Sequence, residues 1–507
     1  MTTPTKRGTG IGAGRFPWIV GLLALAALPY LAALDQPLLR DDRTLLDNEW
    51  LIDQASVVNV FQHHYWHGSR HDRSDLYRPL TILTLAWNLR GAAGAAGLRV
   101  VNVLLHALAC VLVWWVLRCV FGGSIREREV ADRVAWTAAA WFAVHPLASE
   151  GVWFVTGRAE LLAASCGLLA FGCLVDPRLA RRETAAVVCS TVAFALALGF
   201  KESAASWIAI LGLWYLVLRA TARPARVVVR TLVAWGVVLG LFLFVRASAV
   251  GWLPHEPPWI DNPLVRVGAP TRVANAVLIG GLYLARMALP LRLSVEYGYD
   301  QIGVVPLLPW GGIAAACAVV AWCALAATLY RRSPVAAFVW AFVPASFAVT
   351  GNVAFPIGTM FAERLAYLPL VGFCGLAAWF VWRLPVTRFT VWALVVLVLV
   401  AGAARGFART RDFRDVDTFH QATALASPRA VKALANLGRT RLRQGRLDEA
   451  VAVLERAVAI WPDYSGALSL LADVHARAGD PAAEAYYRRR AREAYARWRS
   501  GEDAPSF

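Results

Sequence analysis

Charge is scarce in this sequence, and acidic charge especially so. Only 17% of its 507 residues are charged, with 34 Asp and Glu against 51 Lys and Arg. A hydrophobic content of 58% and a mean hydropathy of +0.51 exclude a single soluble domain. Many windows exceed the roughly 18 to 20 apolar residues that span a bilayer. No C-x-x-C pair occurs. The eight cysteines (Cys110, Cys119, Cys166, Cys173, Cys189, Cys317, Cys323 and Cys374) lie in apolar stretches, which favours packing over a disulfide framework or a metal site. The net charge of +17 sits largely in short loops between apolar segments, where the positive-inside rule accounts for it. Nucleic acid is therefore not expected as a partner.

What is present reads as an all-α, polytopic membrane bundle. Apolar spans are expected at about Phe16–Leu34, Leu98–Phe121, Val134–Val144, Val152–Val175, Ala185–Phe200, Ala204–Leu218, Thr231–Val250, Val304–Tyr330, Val335–Thr350, Leu365–Trp382 and Phe389–Ala404. Lys6, Arg7 and Arg15 precede the first and make residues 1–34 a signal-anchor with a cytoplasmic N-terminus. Basic loops at Arg126–Arg133, Arg178–Arg182, Arg219–Arg230, Arg331-Arg332 and Arg383–Arg388 can all be cytoplasmic only if Val273–Pro290 does not cross. That stretch holds Gly280-Gly281 and Arg286, and reads as a re-entrant or interfacial helix. About eleven spans follow, with residues 35–97 a first outer loop, 98–405 the multi-span domain and the C-terminus outside.

This topology gathers the charged motifs on one face. Asp41-Asp42, Tyr77-Arg78, His145, Glu150, Arg158, Glu160, Lys201-Glu202, Glu296-Tyr297, Asp300 and Glu363-Arg364 all fall near outer ends of spans. Charge near hydrocarbon is costly and usually marks a substrate or ion path. A carboxylate at Asp41 or Asp42 can take the proton of an attacking hydroxyl; the bland reading is a helix cap and solvated turn. Arg78, Arg158, Lys201 and Arg364 are candidate ligands for a lipid phosphate whose charge grows in the transition state, or cations that snorkel to headgroups. Glu150 or Glu160 is the expected partner of Arg158. His145-Pro146 reads equally as a sugar contact or a helix cap. Trp153, Tyr297 and Tyr299 suit sugar stacking or an aromatic belt. His63, His64, His67 and His71 have helical spacing, but no nearby cysteine completes a zinc pattern. No metal site is assigned, although a divalent ion is left open.

After Arg405 the composition turns polar. Leu437-Gly438, Gly445, Ala450, Leu454, Ala457 and Pro462 occupy the small, apolar and breaker positions of a tetratricopeptide repeat, with a period of about 34 residues. Gly479 repeats Gly445, and Pro462 repeats Pro428. A half repeat at Asp412–Ser427, one full repeat and one degenerate repeat, slipped by a residue after Gly479, are expected within residues 406–500, with a tail at 501–507. So short an array needs a neighbour, either the membrane domain or another chain.

In order along the chain, RDDRTLLDN, YRPLTILTLAWN, VNVLLHAL, HPLASEGVWFVTGRAELLA, FKES, SVEYGYD and AERLAYLP lead into the repeats. This series resembles the transmembrane-and-TPR-containing (TMTC-type) protein O-mannosyltransferases and their bacterial relatives, of the GT-C glycosyltransferase superfamily. The resemblance implies a polyprenyl-phosphate sugar donor, most simply mannose, an inverting transfer on the outer face, and a first-loop acidic centre at Asp41-Asp42, with Asp41 favoured as base. It departs where Ser149 replaces a second histidine and Glu160 an aspartate. The acceptor is expected to be Ser or Thr of a secreted protein, docked with help from the repeats, and the site a bacterial inner membrane. Transfer to a lipid or polysaccharide is the alternative with the same chemistry. A non-catalytic scaffold whose repeats recruit a partner is the alternative from another class.

Overall fold

The computed structural model describes residues 16–69, 75–91, 94–125, 127–219, 223–252 and 256–500. His71 and Arg126 lie outside them. The architecture is helical, with no strand among the described residues. In chain order the helices are α1 (Phe16–Ala27), α2 (Asp41–Leu46), α3 (Pro79–Arg90), α4 (Gly94–Gly122), α5 (Arg128–Val144), α6 (Ser149–Trp153), α7 (Arg158–Val175), α8 (Glu183–Phe200), α9 (Ser206–Val217) and α10 (Ala225–Val250). They continue as α11 (Ala269–Ala288), α12 (Gly312–Arg332), α13 (Pro334–Ser346), α14 (Pro369–Val381) and α15 (Arg388–Arg411). The last five are α16 (Val416–Ala426), α17 (Val431–Arg443), α18 (Leu447–Ile460), α19 (Ser465–Ala478) and α20 (Pro481–Ser500).

Seven helical stretches are long and apolar enough to cross a bilayer: Phe16–Ala33, Gly94–Gly122, Val155–Val175, Glu183–Phe200, Ala225–Val250, Leu307–Arg332 and Arg388–Arg411. They make this a multi-pass membrane protein. The other four expected spans are helices α5, α9, α13 and α14, of 12 to 17 residues. At 1.5 Å per residue each is roughly 18 to 26 Å long, less than the hydrocarbon core of about 30 Å. Helix α11, the expected interfacial segment, is 20 residues long and carries Arg272 and Arg286; it is not among the seven.

Helices α4 and α7 form the centre, while α12 lies at the periphery with 11% of its apolar window buried against 78% for α7. Small residues let the central helices close up. A Cβ on Gly167 would lie 1.8 Å from the Trp207 indole nitrogen, and one on Gly172 would lie 2.1 Å from the Trp115 ring. His106 of α4 joins the Tyr367 hydroxyl (2.8 Å) and the Ala143 carbonyl (3.0 Å), tying three elements together in the apolar interior.

The repeat helices α17 and α19 start 34 residues apart, as do α18 and α20. The one-residue slip expected after Gly479 is therefore not present; Gly445 and Gly479 end their helices at equivalent positive φ of 74° and 75°. The array packs on the membrane domain. Trp461 meets Trp259 edge-on at 4.6 Å, Arg429 pairs with Asp300, and Lys432 reaches Asp261 at 2.5 Å. Two backbone bonds, Asp300 N–H to Arg429 O (3.0 Å) and Val431 N–H to Tyr299 O (2.8 Å), complete the junction.

Candidate functional site

The charged motifs do meet at one end of the bundle. Asp42 is fully buried in the first turn of α2. Its carboxylate accepts hydrogen bonds from Val155 N–H (2.7 Å), Thr156 N–H (2.9 Å) and the Thr156 hydroxyl (3.0 Å). Burial pushes Asp42 up to about 6, against the three hydrogen bonds, which favour its anion. It anchors α2 to the turn before α7. Asp41 points the other way: it is exposed, and no protein group among the described residues donates to it. The helix N-terminus and the two adjacent acids thus separate one structural carboxylate from one free one.

Arg40, absent from the sequence-derived candidates, stands directly before this pair. Its backbone sits at φ 51°, ψ −127°, a region costly for a side chain-bearing residue and common at functional sites. The guanidinium donates to the Val295 carbonyl (2.9 Å) and pairs with Glu296 (2.8 Å). Nothing in the sequence distinguishes Arg40 from other loop arginines; the strained backbone and the Glu296 partner, 256 residues away, do.

Arg364 is the most accessible cation of the predicted set, with its side chain 44% exposed. Glu150 grips it twice, accepting its backbone N–H (2.8 Å) and its guanidinium (2.7 Å). Burial would lower the Arg364 pKa, but the carboxylates of Glu150, Asp41 and Glu160 outweigh it and hold it above its ordinary value. Asp41, Glu150, Glu160 and Arg364 therefore share one electrostatic neighbourhood. Lys201 pairs with Glu160, both largely buried. Arg78 holds Glu202 bidentately at 2.8 and 3.1 Å and lies over the Tyr65 ring at 5.3 Å. Each of these three cations thus has its own acid beside it: Arg364 with Glu150, Lys201 with Glu160 and Arg78 with Glu202.

Other predicted residues serve the walls. Arg158 does not pair with Glu150 or Glu160, as expected from sequence. It is buried and donates to Asn102 Oδ1 (3.0 Å), Asn88 Oδ1 (2.7 Å) and the carbonyls of Thr84 and Leu98. Its acceptors are neutral, and it lines a cavity of about 340 Å³ with Thr84, Trp87, Asn88, Val101, Leu105 and Leu162. Tyr77 is buried and donates to the Phe61 carbonyl (2.9 Å). His145 accepts Leu147 N–H at Nδ1 and donates from Nε2 to Met287 O (2.9 Å), while burial lowers it to about 4. It caps its turn. Glu363 is fully buried, accepting from the Tyr297 hydroxyl (2.6 Å) and Ser294 N–H (2.5 Å), with Arg409 at 3.6 Å. Asp300 serves the repeat junction. Trp153 and Tyr297 are buried, and Tyr299 packs on Trp259 and Trp461, so none forms an exposed belt or stacking platform. The His63 and His67 rings lie 3.9 Å apart, and no group of three or more His, Cys, Asp or Glu suited to a metal occurs among the described residues.

A tetratricopeptide-repeat family model matches residues 402–465 and 436–497. The chain is similar over most of its length to three curated proteins. They are Protein O-mannosyl-transferase Tmtc3 of Drosophila melanogaster (26% identity, 84% of this chain, 53% of the relative), F38B6.6 of Caenorhabditis elegans (24%, 91% and 65%) and TMTC4 of Homo sapiens (26%, 81% and 62%). This chain therefore resembles TMTC-type proteins while spanning between about half and two-thirds of their length.

Proposed function

We propose that this protein is a membrane glycosyltransferase that moves a sugar, in the first instance mannose, from a polyprenyl phosphate to a Ser or Thr hydroxyl of a secreted protein on the outer face. The observation that carries the reading is the division of labour at Asp41-Asp42. One carboxylate is locked into the fold; its neighbour is exposed, next in sequence to Arg40 and close enough for its charge to act on Arg364. A hydroxyl attacking an anomeric carbon must lose its proton, which Asp41 can accept. The departing lipid phosphate gains negative charge, which Arg364 and Arg40 can stabilise, with Arg78 and Lys201 as further cations. Glu150, Glu296, Glu202 and Glu160 orient these cations. Inversion follows from a single displacement and rests on the resemblance to the superfamily. The repeat domain would lie outside, beside the cleft, where an acceptor protein arrives.

The test uses full-length protein in nanodiscs, radiolabelled polyprenyl-phosphate mannose and Ser/Thr peptides. Transfer that disappears in Asp41→Asn while donor binding persists supports the reading. Failure of every polyprenyl-phosphate sugar to bind would sink it and leave the scaffold alternative.

A further inference from the structure

Helix α17 has one face that starts at the junction, where Lys432 is held by Asp261, and becomes exposed at Arg439 and Arg443. Lys432, Asn436, Arg439 and Arg443 are spaced i, i+4, i+7 and i+11, within an arc of about 60°, while Val431, Ala433, Leu434, Ala435, Leu437 and Leu442 are buried. The cations around this strip are neutralised: Arg429 by Asp300, Arg441 by Asp417 and Glu449, and Arg446 by Glu449. Arg439 and Arg443 are not. Both are exposed; Arg439 donates to Asn436 Oδ1 (3.2 Å), and neither has an acidic partner among the described residues. A chain of contacts joins the strip to the site. Lys432 pairs with Asp261 (2.5 Å), the neighbouring Ile260 carbonyl accepts Tyr299 N–H (2.8 Å), and Glu296 on that second loop pairs with Arg40 (2.8 Å). One face of a repeat helix, where such arrays bind partners, thus carries two unneutralised guanidiniums and leads towards the residue next to Asp41.

We infer that this face of α17 is a docking strip for acidic acceptor polypeptides, with Arg439 and Arg443 holding side-chain carboxylates while the acceptor hydroxyl is presented to Asp41. The inference rests on the glycosyl-transfer reading and narrows its acceptor class. The spacing sets a pattern. Four residues of helix separate the Cα atoms of Arg439 and Arg443 by about 6 Å along the axis. In an extended peptide, residues i and i+2 share a side and lie roughly 6.6 Å apart. The strip therefore fits two carboxylates at i and i+2. From Lys432 to Arg443 it spans about 16 Å, or about five residues of extended chain.

The experiment measures peptide binding to the full chain in nanodiscs without donor, by fluorescence anisotropy. The probes are Ser-containing peptides with Glu at i and i+2, with Glu at i and i+1, or with Gln at both. The expected order is i/i+2 tightest, with binding weakened about five- to tenfold by Arg439→Gln with Arg443→Gln and by added salt. Arg439→Glu with Arg443→Glu should reverse the preference towards Lys-bearing peptides. Equal binding of Glu and Gln peptides by wild type overturns the inference, as does a preference that survives the double Gln variant. It is equally overturned if the substitutions change only the response to anionic phospholipid in the nanodisc. Acidic preference without transfer from any polyprenyl-phosphate sugar keeps the strip and removes the enzyme; transfer without acidic preference does the reverse.

Discussion

Asp41→Asn and Asp42→Asn should fail in different ways, although the two residues are adjacent. For Asp41→Asn the expected outcome is a fall in kcat of about 10²- to 10⁴-fold, the span of a lost general base, with an unchanged melting temperature, because the side chain makes no bond among the described residues. Asp42→Asn replaces an acceptor of three bonds by a group whose amide end faces a donor. It should lower stability by about 1 to 3 kcal/mol, read as a shifted thermal midpoint. Glu363 gives the pH-dependent counterpart. Burial raises its pKa to about 7, well above the unfolded carboxylate. A raised folded-state pKa means the native state binds the extra proton, so this contribution is complete below about 4.5 and is lost as pH rises through 7. The thermal midpoint should therefore be higher at pH 5 than at pH 8, and Glu363→Gln should flatten that difference. At this scale the sequence was only half legible. It displays the acidic pair and the basic candidates, but which carboxylate is buried depends on Val155 and Thr156, more than 110 residues away. Likewise Arg158 looked like an ion-pair member because two glutamates stand nearby in sequence, yet its fold neighbours are the amides of Asn88 and Asn102.

At the scale of elements, the turn Val155–Gly157 is the piece on which the site depends. It supplies the donors for Asp42 and begins the span that ends at Val175. Gly157 has no room for a side chain: a Cβ there would lie 2.2 Å from the Gly151 carbonyl oxygen. Gly157→Ala should therefore displace the turn from α6, loosen the Asp42 anchor and reduce transfer, although residue 157 is no candidate for chemistry. Hydrogen exchange at α2 that rises in this variant, together with intact exchange in α17, would locate the damage; unchanged exchange at α2 would contradict it. The repeat junction is a second such element. Its aromatic contact, Trp259 on Trp461, buries both rings. Trp259→Ala should cost the junction about 3 to 5 kcal/mol and appear as faster proteolysis between α15 and α17, with the membrane helices still protected. The 34-residue period and its glycines made the repeat helices legible in advance. Their docking was left open, because Trp259 and Asp261 before α11, and Asp300 after it, lie in two loops whose sequences have no periodicity to read.

For the whole molecule, parity is the decisive property. The apolar runs are easily seen in sequence, but length alone gives seven helices able to cross, while the charge pattern calls for eleven crossings. The short helices α5, α9, α13 and α14 decide between these counts. Each packs within the bundle, with most of α5 and α14 buried, so protein rather than lipid can cover their ends, and short helices need not match the bilayer alone. All eleven crossing, with α11 on the surface, places every site-bearing turn and the repeats on the side opposite the basic loops, as the positive-inside rule requires. If α11 crossed instead, Glu296, Arg364 and the repeats would be carried to the other side from Asp41. That is incompatible with the Arg40–Glu296 pair (2.8 Å) and with the repeats docked both on Asp261, before α11, and on Asp300, after it. The expected outcome for single cysteines introduced into a background freed of the native ones is therefore specific. Positions 47 and 463 should react with a membrane-impermeant maleimide added outside intact cells, whereas position 385, between α14 and α15, should react only after the membrane is opened. Labelling of 47 and 463 from opposite sides would overturn the placement of Asp41, Arg364 and the repeat domain on one side of the membrane.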